Sequence, residues 1–151
     1  MEHDYFSDVS VCRNDAIKQS VKCSKCSSPR PVDIRHWRLM YDECGECETQ
    51  DDEHDLVERY REMRTLVATI STDQAVEENT FNYLHSWCAA MMGEVCSEKD
   101  VMYVMVCHFV HTICMQHQLW TPAILYGEIV LPAFIFYFGK NSKIVAALLI
   151  R

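Results

Sequence analysis

Two cysteine pairs, Cys23-Ser24-Lys25-Cys26 and Cys44-Gly45-Glu46-Cys47, are the side chains in this sequence best placed to do chemistry, and 17 residues separate them. A C-x2-C step closes a tight turn that aims two thiolates at one point, and two such steps complete a tetrahedral shell of four sulfurs. A shell closed by Cys23, Cys26, Cys44 and Cys47 leaves no position for water or substrate. The expected centre is therefore structural and not catalytic, with zinc as its metal; iron–sulfur ligation answers to the same spacing. Free loop thiols are the alternative, and paired spacing on both sides weighs against it. A redox pair is weaker still, since no βαβ pattern surrounds either step. His36 is expected at the surface and not as a substitute ligand.

The rest of the composition narrows the setting of this centre. The chain has 151 residues, enough for one domain or a small domain with an appendage, and at 49% hydrophobic and 24% charged it should fold. Its net charge of -8, from 14 basic against 22 acidic residues, argues against nucleic acid as a partner, because phosphate neutralisation needs clustered Lys and Arg. Met1-Glu2-His3-Asp4-Tyr5 does not open a secretory signal, so the nine cysteines should be reduced thiols or metal ligands. Catalytic signatures are missing. Gly45, Gly93, Gly127 and Gly139 are isolated, and neither a nucleophile elbow nor an H-E-x-x-H occurs. Cys107 beside His108 and His111 stands on an apolar helix face and reads as core.

The elements that must position these residues follow from periodicity and breakers. Residues 1–22 read as an arm or one short helix. Pro29 to Tyr41, with Trp37 at its centre, supplies short strands and an apolar plug between the cysteine pairs. Ten acids lie between Asp42 and Glu62, and the first part of that run reads as a solvated linker. His54 to Ile70 is expected to be a helix facing inward with Leu56, Tyr60, Met63, Val67 and Ile70, ended by Ser71-Thr72-Asp73-Gln74, which caps the next. Further helices follow from apolar positions three and four apart: Tyr83, Leu84, Trp87, Ala90 and Met91, then Met102, Met105, Val106, Phe109, Val110 and Ile113. Ser97, followed by Glu98 and Asp100, should start the second of these. Thr121-Pro122 should open a helix that Gly139 closes, with a bend at Pro132. Asn141-Ser142 should cap a last helix running to Arg151. The last 51 residues carry only Glu128, Lys140, Lys143 and Arg151 as charged side chains, so their helices must be buried, face a partner or lie in lipid.

The helical region resembles the cyclin box. Leu84-His85-Ser86-Trp87 is similar to the Leu-x-x-Trp step of the first box helix, and Glu94-Val95-Cys96-Ser97-Glu98 to the Glu-Val-Cys-x-Glu segment found in many cyclins. His108-Phe109-Val110-His111-Thr112-Ile113 stands where the family has Tyr-Leu-Asp-Arg-Phe-Leu, and Ala123-Ile124-Leu125-Tyr126-Gly127 where it has Leu-Gln-Leu-Leu-Gly. Upstream, Asp55 to Met63, with Arg61-Glu62-Met63 at its end, looks like the Tyr-Leu-Arg-Glu-Met helix preceding the box. The resemblance covers about residues 54–151 and keeps register without a gap from Trp87 to Gly127. It implies an all-α fold, a truncated cyclin-like helical bundle over residues 52–151; the cysteine spacing places an arm and a four-cysteine zinc-binding segment before it, over residues 1–51.

What the resemblance implies about function is regulation by docking, in the manner of a viral accessory cyclin. The partner would be a cyclin-dependent kinase or the transcription apparatus, and the location nucleus or cytoplasm. In cyclins the start of the first box helix forms a shallow patch for peptide motifs, and the matching positions are Tyr83, Leu84 and Trp87, with Ile124 beside them. The family's kinase-contacting lysine falls at Phe136 in the ungapped register, or at Lys140 if a four-residue insertion is allowed. Its glutamate partner would lie beyond Arg151, so a cyclin-type clamp should be weak or absent. A bundle short of a helix should also self-associate through Phe134, Phe136, Phe138, Val145, Leu148 and Leu149. Two other classes compete. One is a membrane-anchored zinc protein, built on Ala123 to Gly139, though Glu128, Lys140 and Lys143 are costly at depth. The other is a Bcl-2-like apoptosis regulator, which Leu125-Tyr126-Gly127-Glu128-Ile129-Val130 loosely echoes, with Glu128 where that family has arginine.

Overall fold

A computed structural model describes residues 15–48, 54–72 and 78–150. Within it the chain is mostly helical, with one small sheet. A 3-10 turn at Asp15–Lys18 leads into β1 (Ser20–Lys22), β2 (Pro29–Asp33) and β3 (Arg38–Leu39). The strands form an antiparallel sheet in the order β1-β2-β3, with Val21 opposite Arg30 and Val32 opposite Leu39. Among the described residues five helices follow: α1 (His54–Thr72), α2 (Glu78–Val95), α3 (Val101–Gln116), α4 (Trp120–Phe138) and α5 (Lys143–Ile150). The expected arm over residues 1–22 is corrected by the strand at Ser20–Lys22, and the expected break at Ser71-Thr72-Asp73-Gln74 by α1 continuing through Thr72; residues 1–14, the linker residues 49–53 and Asp73-Gln74 lie outside the described residues. So do the side chains of Ile70, Tyr83, Leu84, Leu148 and Leu149.

α3 is the central helix. Tyr103, Val104, Val106, Cys107, Val110, His111 and Cys114 are all buried, because α2 packs along one flank and α4 along the other. A helix covered on several sides shows little amphipathic contrast, which is why its sequence is apolar nearly all round. α1 contributes Val57, Tyr60, Met63 and Val67 to the same core. Val21 and Val32 of the sheet join it too, so strands and helices share one apolar interior.

Three further expectations are corrected. The inward stripe of α2 is His85, Cys88, Ala89, Met92 and Val95, while Ala90 is exposed and Trp87 is 42% exposed. Small residues at Cys88 and Ala89 suit close approach of a neighbouring helix, where an indole would not fit. The cap of α3 is Asp100 and not Ser97: its carboxylate accepts from the Tyr103 N–H at 3.0 Å. Ser97 instead stays in the preceding turn, bonded to Ser20 Oγ at 2.6 Å. α4 starts at Trp120, one residue before Thr121-Pro122, and has no side-chain cap among the described residues. It runs through Pro132 to the left-handed Gly139, whose N–H donates to Ile135 O. Ser142 caps α5 as expected, its Oγ accepting from Val145 N–H at 3.1 Å.

Candidate metal centre

Two equivalent turns present the four thiols. In the first, Ser27 N–H donates to Cys23 O at 3.0 Å; in the second, Glu48 N–H donates to Cys44 O at 2.9 Å. The donor stands four residues after the first cysteine in each case, with left-handed backbone, φ 63° at Ser27 and 60° at Glu48. The left-handed residue turns the chain back on itself, so both sulfurs of a pair face the same point. The first turn is locked further by Cys23 N–H donating to Ser28 O at 2.9 Å.

The sulfurs of the two turns meet crosswise. Cys23 Sγ lies 3.6 Å from Cys47 Sγ and Cys26 Sγ lies 3.5 Å from Cys44 Sγ, and all four are within 4.8 Å of one another. A tetrahedral ion with metal–sulfur bonds of ~2.3 Å spaces its ligands about 3.8 Å apart. The cluster is thus near the size of a four-thiolate shell and far from the ~2 Å of a disulfide. Cys23 and Cys44 are buried, Cys26 and Cys47 exposed, so the centre sits at the surface with one sulfur of each turn facing inward. Burial pushes the Cys23 thiol up to about 11, whereas hydrogen bonds from the Ser28 side chain and backbone hold Cys26 down to about 6. His36 is exposed and bonded to Asp33 at 2.8 Å, outside the cluster.

Two supports of this centre escape a sequence reading. Arg30, only 2% exposed, donates through Nη2 to Tyr41 O and Asp42 O at 3.2 Å each. It ties the strand between the cysteine turns to the segment entering the second one. The other support joins sheet to helices. Ser20 N–H donates to Asp100 Oδ2 at 3.1 Å, and Tyr60 OH donates to the same oxygen. Ser97 N–H donates to Ser20 O at 3.0 Å, and Val21 bridges Cys96. One buried carboxylate therefore holds β1, α1 and the first turn of α3. Burial pushes it up to about 6, against the opposing effect of its three donors and of Arg64.

The remaining sequence candidates lie on α2, on α4 and just after α4. Tyr83 and Leu84 stand on α2 near Trp87. Ile124, on α4, is 62% exposed, and its sequence neighbours Leu119, Trp120 and Leu125 are exposed as well. Phe136 is half-buried, with the Lys99 ammonium 5.2 Å from its ring centroid, and Lys140 is exposed. Phe134 and Val145, expected at a self-association surface, are buried at 2% and 0%. α5 and the ring of Phe138 help to enclose them. Cys107 is fully buried, and burial pushes it up to about 12. His111 Nδ1 lies 2.8 Å from Ala123 O. This pair serves the α3–α4 contact.

Searches of family models, curated proteins and solved structures find no match to this chain.

Proposed function

We propose that this chain is a non-enzymatic docking protein. In it zinc, bound by Cys23, Cys26, Cys44 and Cys47, staples a small sheet onto a cyclin-like helical unit. Its task is to modulate a cyclin-dependent kinase or transcription, in the nucleus or cytoplasm. The observation that carries this reading is the 42% exposure of Trp87, an indole at the position where the cyclin resemblance puts a peptide-docking patch. Aromatic side chains left at a surface are frequent anchors of protein interfaces. Four thiolates suit zinc because it accepts a closed tetrahedral sulfur shell with no redox demand.

Binding of purified cyclin-dependent kinases to the full chain tests the proposal. Trp87→Ala should weaken binding about 30-fold or more, as for an aromatic anchor, with helical content unchanged. Kinase activity should stay well below that produced by a cyclin, since Phe136, which stands at the lysine position in the ungapped register, cannot form the family's ion pair. Absence of binding across the kinases, or activation to cyclin-like levels, refutes it.

A membrane-anchored zinc protein is the second reading, favoured by one observation. α4 is long and apolar enough to cross a bilayer, and 28% of its most apolar window is buried. Against it, α4 is pinned in the bundle by Ala123, Val130, Ala133, Phe134 and Tyr137, and Tyr137 OH donates to Lys99 O. Retention of the expressed chain on membranes after an alkaline wash would select this second reading.

A further inference from the structure

An open groove of about 490 Å³ runs along the seam between the sheet and the helices. Ile34 and Trp37, from the turn between β2 and β3, form one wall; Arg64, Thr65 and Ala68 of α1 form the other, and Met102 of α3 lies between. We propose that this groove docks an acidic peptide motif of another protein, one apolar or aromatic side chain flanked by Asp or Glu. The proposal goes beyond the kinase reading and uses no residue of α2 or α4, so the two stand or fall separately.

The walls are shaped for an apolar side chain. Trp37 adopts φ 52°, a left-handed conformation that is an outlier for a bulky residue and that persists only where the surroundings impose it. The Arg61 guanidinium, 5.3 Å from the centroid of the Trp37 ring, holds the half-buried indole toward α1. Ile34 and Met102 are partly buried beside it. The cleft they leave is apolar and open to solvent.

The charge at the groove runs against that of the whole chain. In a protein of net charge -8, Arg64 is the charged residue that lines the groove, with Arg35 on the turn, Arg38 at the start of β3 and Arg61 one turn earlier on α1. Arg61 and Arg38 each stand 3.9 Å from a carboxylate, Glu58 and Asp33, and all four of these side chains are partly exposed. Arg64 makes no ion pair among the described residues. Its Nη1 donates to Tyr60 OH at 3.0 Å and its guanidinium lies 5.5 Å from the Tyr60 ring centroid. The remaining guanidinium N–H groups are open to a ligand, since the buried groups lacking a partner do not include them. A guanidinium at an apolar wall recognises a carboxylate by paired, charge-assisted hydrogen bonds. Apolar walls and a single committed cation favour an acidic peptide over a polyphosphate strand, which needs a row of cations.

Selection of random peptides on the immobilised full chain, followed by fluorescence anisotropy with the enriched peptide, tests the assignment. Enriched sequences should share Asp or Glu next to Phe, Leu, Ile or Trp. Arg64→Gln, which keeps a donor for Tyr60 OH, should weaken binding at least about tenfold, the loss expected for one charge-assisted hydrogen bond. Thr65→Tyr, at an exposed helix position, should block the groove without touching Tyr60, and both variants should keep the parent's circular dichroism. Replacing the peptide's acids by amides should cost as much as Arg64→Gln, with no further loss when the two changes are combined. The proposal is overturned if no peptide is enriched, if the enriched peptides carry no acid, or if they bind both variants like the parent. Displacement of the peptide by a neutral apolar peptide alone, or by single-stranded oligonucleotide at equal concentration, overturns it as well.

Discussion

Asp100 is the side chain whose removal should cost the fold most. Asp100→Ala deletes the cap of α3, worth about 1 kcal/mol, and strips the acceptor from two buried donors, Ser20 N–H and Tyr60 OH. Each donor left without a partner costs roughly 1 to 3 kcal/mol. Relief from burying a carboxylate offsets part of this, so the net loss should be about 2 to 4 kcal/mol, a large share of a typical domain's stability. Asp100→Asn separates charge from hydrogen bonding. Its carbonyl can still cap Tyr103 N–H and its amide can donate to the Tyr60 oxygen, but that amide meets Ser20 N–H donor to donor. The two forms should differ in their response to pH. The folded carboxyl is pushed up to about 6, above its value in the unfolded chain, so the native state holds the proton more tightly. The stability contributed by this group is therefore fully present below about pH 4 and is lost as pH rises through 6, by at most about 1.4 kcal/mol per pH unit. Asparagine has no such dependence. Urea unfolding followed by circular dichroism should show the deficit of Asp100→Asn largest near pH 4 and smaller near pH 7. Acid effects on the thiolates are common to both proteins and cancel in the difference. A deficit that is flat, or that widens toward neutral pH, refutes the reasoning.

Elemental analysis should find one zinc per chain in the parent and none in Cys44→Ser; a parent without zinc would end the assignment. Metal binding to such sites is coupled to folding at an apparent value on the order of 10 kcal/mol. Because Val21 and Val32 belong to the helical core, Cys44→Ser should also lower the melting temperature of the helical signal; an unchanged helical melt would contradict this. Trp87→Ala should change stability by less than about 1 kcal/mol, since the indole is 42% exposed; unfolding of the domain would place Trp87 in the core. Gly127→Ala puts a Cβ 3.1 Å from His111 Cε1 and 3.3 Å from Nδ1, and the ring is pinned by Ala123 O. The crowding, about 1 to 3 kcal/mol, should exceed the roughly 1 kcal/mol gain in helix propensity, lowering the urea midpoint; a stabilised variant would show that the ring moves freely.

Spacing made the four-cysteine cluster legible in the chain itself. Two residues between cysteines suffice to shape a turn, and a turn is a local object whose hydrogen bonds lie within five residues. Helix existence was legible for the same reason, since apolar recurrence and breakers such as Gly139 and Ser142 act within a few positions. Which face of a helix is buried is not local. Periodicity marked Trp87 and Ala90 as apolar positions of α2 without fixing which face is covered, and the structure turned His85, Cys88 and Ala89 inward, because the fit of α3 against small side chains decides how closely two helices pack. The start of α3 moved from Ser97 to Asp100 for a related reason: Ser97 and Ser20, 77 residues apart, bond to each other only once the sheet docks. The same docking makes Asp100 a shared acceptor, buries Arg30 behind the cysteine turns and opens the groove beside Trp37. None of these has a signature in sequence, since each depends on groups brought together from distant parts of the chain, and only the tertiary structure fixes those distances.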